Sequence, residues 1–260
     1  MSQTNPVLTL YHGLASTCSK KVRLCLAEKG LEYESRLLNL QKFEQHEPEY
    51  LKLNPKGVVP TLVHNGNPIC ESTTIIDYLE EKFPEPPLTP ENSANRERMR
   101  KWEKWSDEVG YAAVYVPTWD RLSRPVAEKL TDDELATVLQ RIPTKERRNR
   151  WRQVARGGFS KAEMQIAYDK MKLTFQQMEE DLSSSDYLAG DGFSLAECAM
   201  LPFVERMVDL RPDLTATSVY PRVHLWLARL AQRPSWQAAF FFQGMDARTG
   251  AVLVRIKAEI

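Results

Sequence analysis

Val58-Val59-Pro60-Thr61-Leu62-Val63-His64, followed at short range by Cys70-Glu71-Ser72-Thr73-Thr74-Ile75-Ile76-Asp77-Tyr78-Leu79, decides the reading of this 260-residue chain. An apolar strand opened by Pro60, a tight Asn65-Gly66-Asn67 reversal, a second short strand and an amphipathic helix opened by an acidic and a hydroxyl residue form one compact unit. A helix beginning at Glu71-Ser72 leaves its first N–H groups unpaired and gathers partial positive charge there, so a ligand carboxylate is stabilised at that end. The Ser72 hydroxyl can hydrogen-bond that carboxylate and Glu71 can hold an ammonium, which together suit an amino-acid head group. Pro60 cannot donate to a sheet ladder, which leaves the Val59 backbone available to an extended peptide. Taken singly, Ser72 reads as a helix N-cap and Pro60 as an ordinary strand start; their joint occurrence favours a binding edge.

Upstream, Val7-Leu8-Thr9-Leu10-Tyr11 reads as a first strand, and Ser16-Thr17-Cys18-Ser19 leads into a helix over residues 20–29 that Gly30 closes at its C′ position. The element order is strand, helix, strand, helix, strand, strand, helix. With Ser16 after strand one, Pro60 opening the third strand and Glu71-Ser72 opening the third helix, this segment resembles the thioredoxin-like domain of cytosolic glutathione transferases. The resemblance implies an α/β domain with a mixed sheet over residues 1–86, a Val59-Pro60 cis bond, and an all-helical domain over residues 92–260 with an insertion at about 120–160.

It also implies glutathione as co-substrate and a set of site residues. Ser16, five positions after Tyr11, takes the place of the hydroxyl that donates to the glutathione sulfur; such a donor beside a helix N-terminus favours thiolate over thiol. Thr17 and Cys18 complete the catalytic set, Cys18 being a rival to Ser16 because a cysteine here would bring thiol-transferase chemistry. Val59 and Pro60 would serve the cysteinyl backbone, Glu71 and Ser72 the γ-glutamyl group, and Gln45, His46 or Lys56 the glycyl carboxylate. Between Glu44 and Glu47, His46 reads on its own as a solvated surface residue.

Lysine plus arginine equal aspartate plus glutamate at 35 each, so no global field recruits nucleic acid or an anionic membrane. The densest basic cluster, 147–152, is balanced by Asp132, Asp133 and Glu134 and reads as a solvated face. No apolar run approaches the roughly 18 residues of a membrane helix and the first residues have no signal-peptide character, so the expected compartment is cytoplasmic. Cys18, Cys25, Cys70 and Cys198 show neither a C-x-x-C pair nor zinc spacing; no metal site is expected, and Cys25 and Cys70 read as packing residues.

After the proline-rich connector 84–90, helical periodicity runs from about Asn92 through Trp119, with Trp102, Trp105, Val109, Ala112 and Val116 as its core face. Tyr111, Tyr115 and Trp119 recur every fourth residue on a neighbouring face and suit either a pocket for an aromatic substrate or the interior of a bundle. Ser194 and Glu197 form a capping box, with Phe193 placed to staple against Cys198. The same box occurs in the buried helix of the glutathione transferase second domain.

The charged insertion, with Lys42-Phe43-Glu44-Gln45-His46 and 102–108, further resembles bacterial β-aryl etherases, which cleave lignin-derived ethers using glutathione. This implies a hydrophobic aromatic electrophile, thiolate attack on the carbon bearing a phenoxy group beside an aryl ketone, and a homodimer. Ser16-Thr17-Cys18-Ser19 also resembles the signature of the zeta class, which isomerises maleylacetoacetate, and general glutathione conjugation is a further enzymatic alternative. A non-enzymatic glutathione-binding regulatory module is the alternative of a different class. Phe240-Phe241-Phe242-Gln243-Gly244-Met245 is an apolar cluster expected to pack on the helical domain or over its substrate cleft.

Overall fold

The computed structural model describes residues 8–240. Val7 and the cluster beyond Phe240 lie outside the described residues. In the first unit β1 (Leu8–His12) leads through a turn into α1 (Thr17–Glu28), then β2 (Glu34–Leu37), two 3-10 turns, α2 (Pro48–Leu53), the hairpin β3 (Thr61–His64) and β4 (Asn67–Cys70), and α3 (Ser72–Lys82). The sheet order is β2-β1-β3-β4, with β1 parallel to β2 and antiparallel to β3, and β3 antiparallel to β4. This mixed sheet is the thioredoxin-like arrangement expected.

Local chemistry accounts for the joints. Asn65 and Gly66 both take positive φ, 50° and 83°, as a two-residue hairpin loop of the primed type requires. α1 ends in a Schellman motif, with Leu31 N–H donating to Leu26 O (2.9 Å) and Gly30 N–H, at φ 61°, to Ala27 O (3.2 Å). Leu8, Leu10 and Leu62 from the sheet are buried, as are Val22, Cys25 and Leu26 from α1 and Ile75, Ile76 and Leu79 from α3. The Val59-Pro60 bond is cis and immediately precedes β3.

The second unit begins at Thr89, inside the proline-rich connector. α4 (Ser93–Trp105), a π turn (Ser106–Gly110), α5 (Tyr111–Thr118), a second π turn (Trp119–Ser123) and α6 (Arg124–Ala127) follow one another without a break. Met99, Trp102, Glu103, Ser106, Gly110, Ala113, Val114, Pro117 and Ala127 are buried, while Trp105, Val109, Ala112 and Val116 are half-buried. The core face therefore lies about one residue later than the regular helical period predicts after Trp102, because a π turn absorbs an extra residue.

α7 (Asp132–Arg141) and α8 (Lys145–Arg156) make up most of the expected insertion, and α9 (Lys161–Asp181), α10 (Leu195–Leu210) and α11 (Pro221–Ala231) complete the unit. α10 is buried over almost its whole length; its Glu197 accepts from Ser194 N–H (2.9 Å), Leu188 N–H (2.6 Å) and Trp226 Nε1 (3.4 Å). Burial raises the pKa of that carboxyl, and the donors around it offset part of the cost.

From Gln232 the chain rejoins the first unit, where α12 (Pro234–Phe240) packs against α1. The expected helical domain of 92–260 is thus interrupted at its end. Helical periodicity identifies an apolar stripe but not the surface that buries it.

Candidate functional site

Ser16 is the N-cap of α1, and its Oγ accepts from Ser19 N–H at 3.2 Å. With a lone pair occupied in that way, the Ser16 O–H proton remains available to a second acceptor. Thr17 and Cys18 form the first helical positions; all three residues are half-buried. No acidic side chain occupies this first turn, so the partial positive charge of the helix end is not neutralised there.

Behind the turn, Arg23 is 1% exposed and donates to Gly13 O (3.2 Å), Leu14 O (3.1 Å) and His12 Nδ1 (3.0 Å). A guanidinium only donates, so His12 Nδ1 must accept and Nε2 carries the proton, directed at Ser35 Oγ 2.8 Å away. Burial first, and then the Arg23 charge, lower the His12 pKa to about 3, which keeps the ring neutral. Burial lowers Arg23 to about 10 and leaves it charged at neutral pH.

At the hairpin, Tyr50 Oη (2.5 Å) and Asn54 Nδ2 (2.9 Å) both donate to Val58 O, fixing the approach to the cis bond. Among the described residues neither the N–H nor the carbonyl of Val59 has a hydrogen-bond partner. Glu71, not Ser72, is the N-cap of α3; it sits at φ 68°, ψ 120° and makes no side-chain bond to the helix. That sparsely populated backbone conformation costs about 1–3 kcal/mol for a residue with a Cβ. The Glu71 carboxylate pairs instead with Lys56 Nζ at 2.7 Å. Ser72 is the first helical residue and is buried, while Lys21 Nζ donates to Thr73 Oγ1 at 2.5 Å and adds a buried cation at the same helix end.

Gln45 and His46 are 3% and 2% exposed, so the reading of His46 as a solvated residue is corrected. The 3-10 turn turns its ring inward to stack on Phe43 at 6.1 Å between centroids, which flanking glutamates in the sequence do not reveal. Gln45 Nε2 lies 3.5 Å from Leu40 O, and Gln45 Oε1 is buried without a partner among the described residues.

In the second unit Tyr111, Tyr115 and Trp119 form a ladder with centroid spacings of 5.2 and 5.4 Å, continued by Trp151 of α8 at 5.1 Å from Trp119. Arg147 lies over Trp119 and Arg150 over Tyr115, each at 5.5 Å. Burial raises the Tyr115 pKa, against the two arginine charges. Arg150 also pairs with Glu163 (3.0 Å) and Arg148 donates to Ile142 O (2.6 Å), so much of the basic cluster is tied into the fold. Sequence reasoning missed Arg23, His12 and the capping boxes Thr131/Glu134 and Ser160/Glu163. Only the boxes carried a legible signal, a threonine or serine three residues before glutamate. Among the described residues no cluster of three His, Cys, Asp or Glu is gathered for a metal ion.

Known proteins bear on both units. Residues 10–87 match the glutathione S-transferase N-terminal domain and residues 145–229 the C-terminal domain. Protein LigF of Sphingobium sp. strain SYK-6 is 34% identical over 239 residues, spanning 90% of this chain and 93% of that protein. The chain belongs to the glutathione S-transferase family, whose co-substrate is glutathione. The crystal structure of the β-etherase LigF from the same strain superposes with a TM-score of 0.83 at 33% identity, covering 90% of this chain and 99% of that one. A zeta-class glutathione S-transferase of Euphorbia esula is 51% identical, but over 85 residues, 33% of this chain and 38% of that protein.

Proposed function

We propose that this glutathione transferase cleaves β-aryl ethers. Glutathione thiolate attacks the carbon that bears a phenoxy group beside an aryl ketone. A carbon–sulfur bond forms, the carbon–oxygen bond breaks, and its electron pair leaves as a phenolate that takes up a proton equivalent to the one lost when glutathione ionised. The observation that carries the reading is the similarity to the β-etherase LigF over both units, against the partial match to the zeta class.

In this reading Ser16 donates to the sulfur at the electropositive start of α1 and keeps it ionised, with no general base required. Val59 pairs with the cysteinyl backbone beside Pro60, Glu71 and Ser72 take the γ-glutamyl group, and Gln45, His46 or Lys56 face the glycyl carboxylate. Tyr111, Tyr115 and Trp119 receive the aromatic electrophile. The homodimer and the cytoplasmic compartment belong to the same reading; no helix among the described residues is long and apolar enough to cross a membrane. Isomerisation of a maleyl diketone is the second reading, favoured by Cys18 in the first turn of α1 and by the zeta-class match.

The test is a glutathione-dependent screen of paired enantiomers of an aryl-ether ketone, a chlorodinitrobenzene and a maleyl diketone. Phenol release from one ether enantiomer, with a stoichiometric glutathione thioether, is the expected result. Turnover of the diketone without phenol release would replace this reading by the second.

A further inference from the structure

The Arg23 guanidinium contacts two parts of the chain that are far apart in sequence. On one side it donates to Gly13 O and Leu14 O, and Gly13 O also accepts from Ser16 N–H at 3.3 Å. On the other side its Nε (2.9 Å) and a terminal nitrogen (2.8 Å) both donate to Ala239 O, near the end of α12. Two bonds to one carbonyl fix the guanidinium in its own plane, so a displacement of Ala239 is carried to the turn.

α12 itself is seated on α1 along its length. At its start Arg233 pairs with Glu28 at 2.7 and 2.6 Å, and Ser235 donates to the same carboxylate. At its end Trp236 stacks on Phe240 at 4.4 Å, and Lys20 lies 4.6 Å from the Phe240 ring centroid. Gly13 N–H also donates to Ser19 Oγ at 3.2 Å and braces the turn further. Burying a guanidinium is costly unless its donors are satisfied, and here they are spent on main-chain oxygens of the two segments and on the neutral His12 ring.

We infer that Arg23 is a positioning residue that ties the end of α12 to the turn presenting Ser16, so that the seating of α12 sets where the Ser16 hydroxyl meets the glutathione sulfur. The inference rests on the reading of Ser16 as the sulfur-facing hydroxyl. A displacement of about 1 Å in a reacting geometry is enough to lower a rate by about two orders of magnitude, so the tie does not need to move far.

The experiment measures the pKa of bound glutathione thiolate by its ultraviolet absorbance, together with kcat and the KM for glutathione, on full-length variants. Arg23→Met should raise the thiolate pKa by about one unit and lower kcat about tenfold, with KM for glutathione within about threefold of native. Trp236→Ala, which removes the stacking partner of Phe240 in α12, should shift both quantities in the same direction. The double variant should go no further than Arg23→Met, because the two changes act through one connection. Arg23→Lys should recover part of both and serves in its place should Arg23→Met fail to fold. Loss of stability with native thiolate pKa and kcat would reduce Arg23 to a fold determinant and overturn the inference alone. So would a shift in the Arg23 variants that Trp236→Ala does not reproduce. No bound thiolate in the unsubstituted protein would instead remove the role of Ser16, and this inference with it.

Discussion

The Lys56 ammonium sits 2.7 Å from the Glu71 carboxylate, so the residue that opens α3 is already paired with a cation before any ligand arrives. Both side chains are more than half exposed, and an ion pair in water adds little to the fold. Toward glutathione its meaning differs, since an incoming ammonium competes with Lys56 for the same carboxylate. Glu71→Gln should weaken glutathione binding by about tenfold to a hundredfold, the loss of a charge-assisted hydrogen bond, and Ser72→Ala should weaken it in the same sense. Lys56→Ala should leave the thermal midpoint close to native. Calorimetric titration with unchanged affinity in both Glu71→Gln and Ser72→Ala would remove this helix end from the site.

Ser16 and Cys18 make opposite predictions for the sulfur. Ser16→Ala should raise the pKa of bound glutathione and slow turnover by about ten- to a thousandfold, the usual range for loss of one donor to a developing or resident anion. Cys18→Ala should retain most activity. The reverse order, with a glutathione mixed disulfide on Cys18 in the mass spectrum, would assign thiol-transfer chemistry instead.

His12 gives the fold a sensitivity to acid. Its pKa is about 3 when folded against an ordinary 6.5, so between those values the unfolded chain binds a proton that the folded chain does not. Its contribution to stability is fully present above pH 6.5 and is lost as pH falls toward 3, at up to about 1.4 kcal/mol per pH unit. Denaturant titrations across that range should show a shallower decline for His12→Asn than for the native chain. Parallel declines would place the acid sensitivity elsewhere.

The aromatic ladder separates stability from selectivity. Trp151 is buried, so Trp151→Ala should destabilise the chain by about 3–5 kcal/mol. Tyr115 and Trp119 are half-buried, and their truncation to alanine should impair use of a bulky diaryl ether far more than of a chlorodinitrobenzene, with glutathione affinity unchanged. Equal losses for the large and the small electrophile, measured as kcat/KM, would show that the ladder supports the fold alone.

How much was legible depended on the range of the interaction. The order of elements to residue 82, the Asn65-Gly66 hairpin, the Gly30 cap and the Ser194/Glu197 box follow from contacts within a few residues, and each has a local pattern that names it. The resemblance through Ser16, Val59-Pro60 and Glu71-Ser72 pointed to the family for the same reason, since these residues mark two helix starts and the entry to a strand. The rest depended on partners remote in sequence. The π turns moved the core face of the long helical run off its expected residues, and burial of Gln45 and His46 came from packing around a 3-10 turn rather than from neighbouring charges. That α12 would leave the helical unit for α1 could not be read from its own residues. An amphipathic helix specifies that one face be buried, whereas which surface buries it is decided by the tertiary structure, here through Arg23, Glu28 and the carbonyl of Ala239.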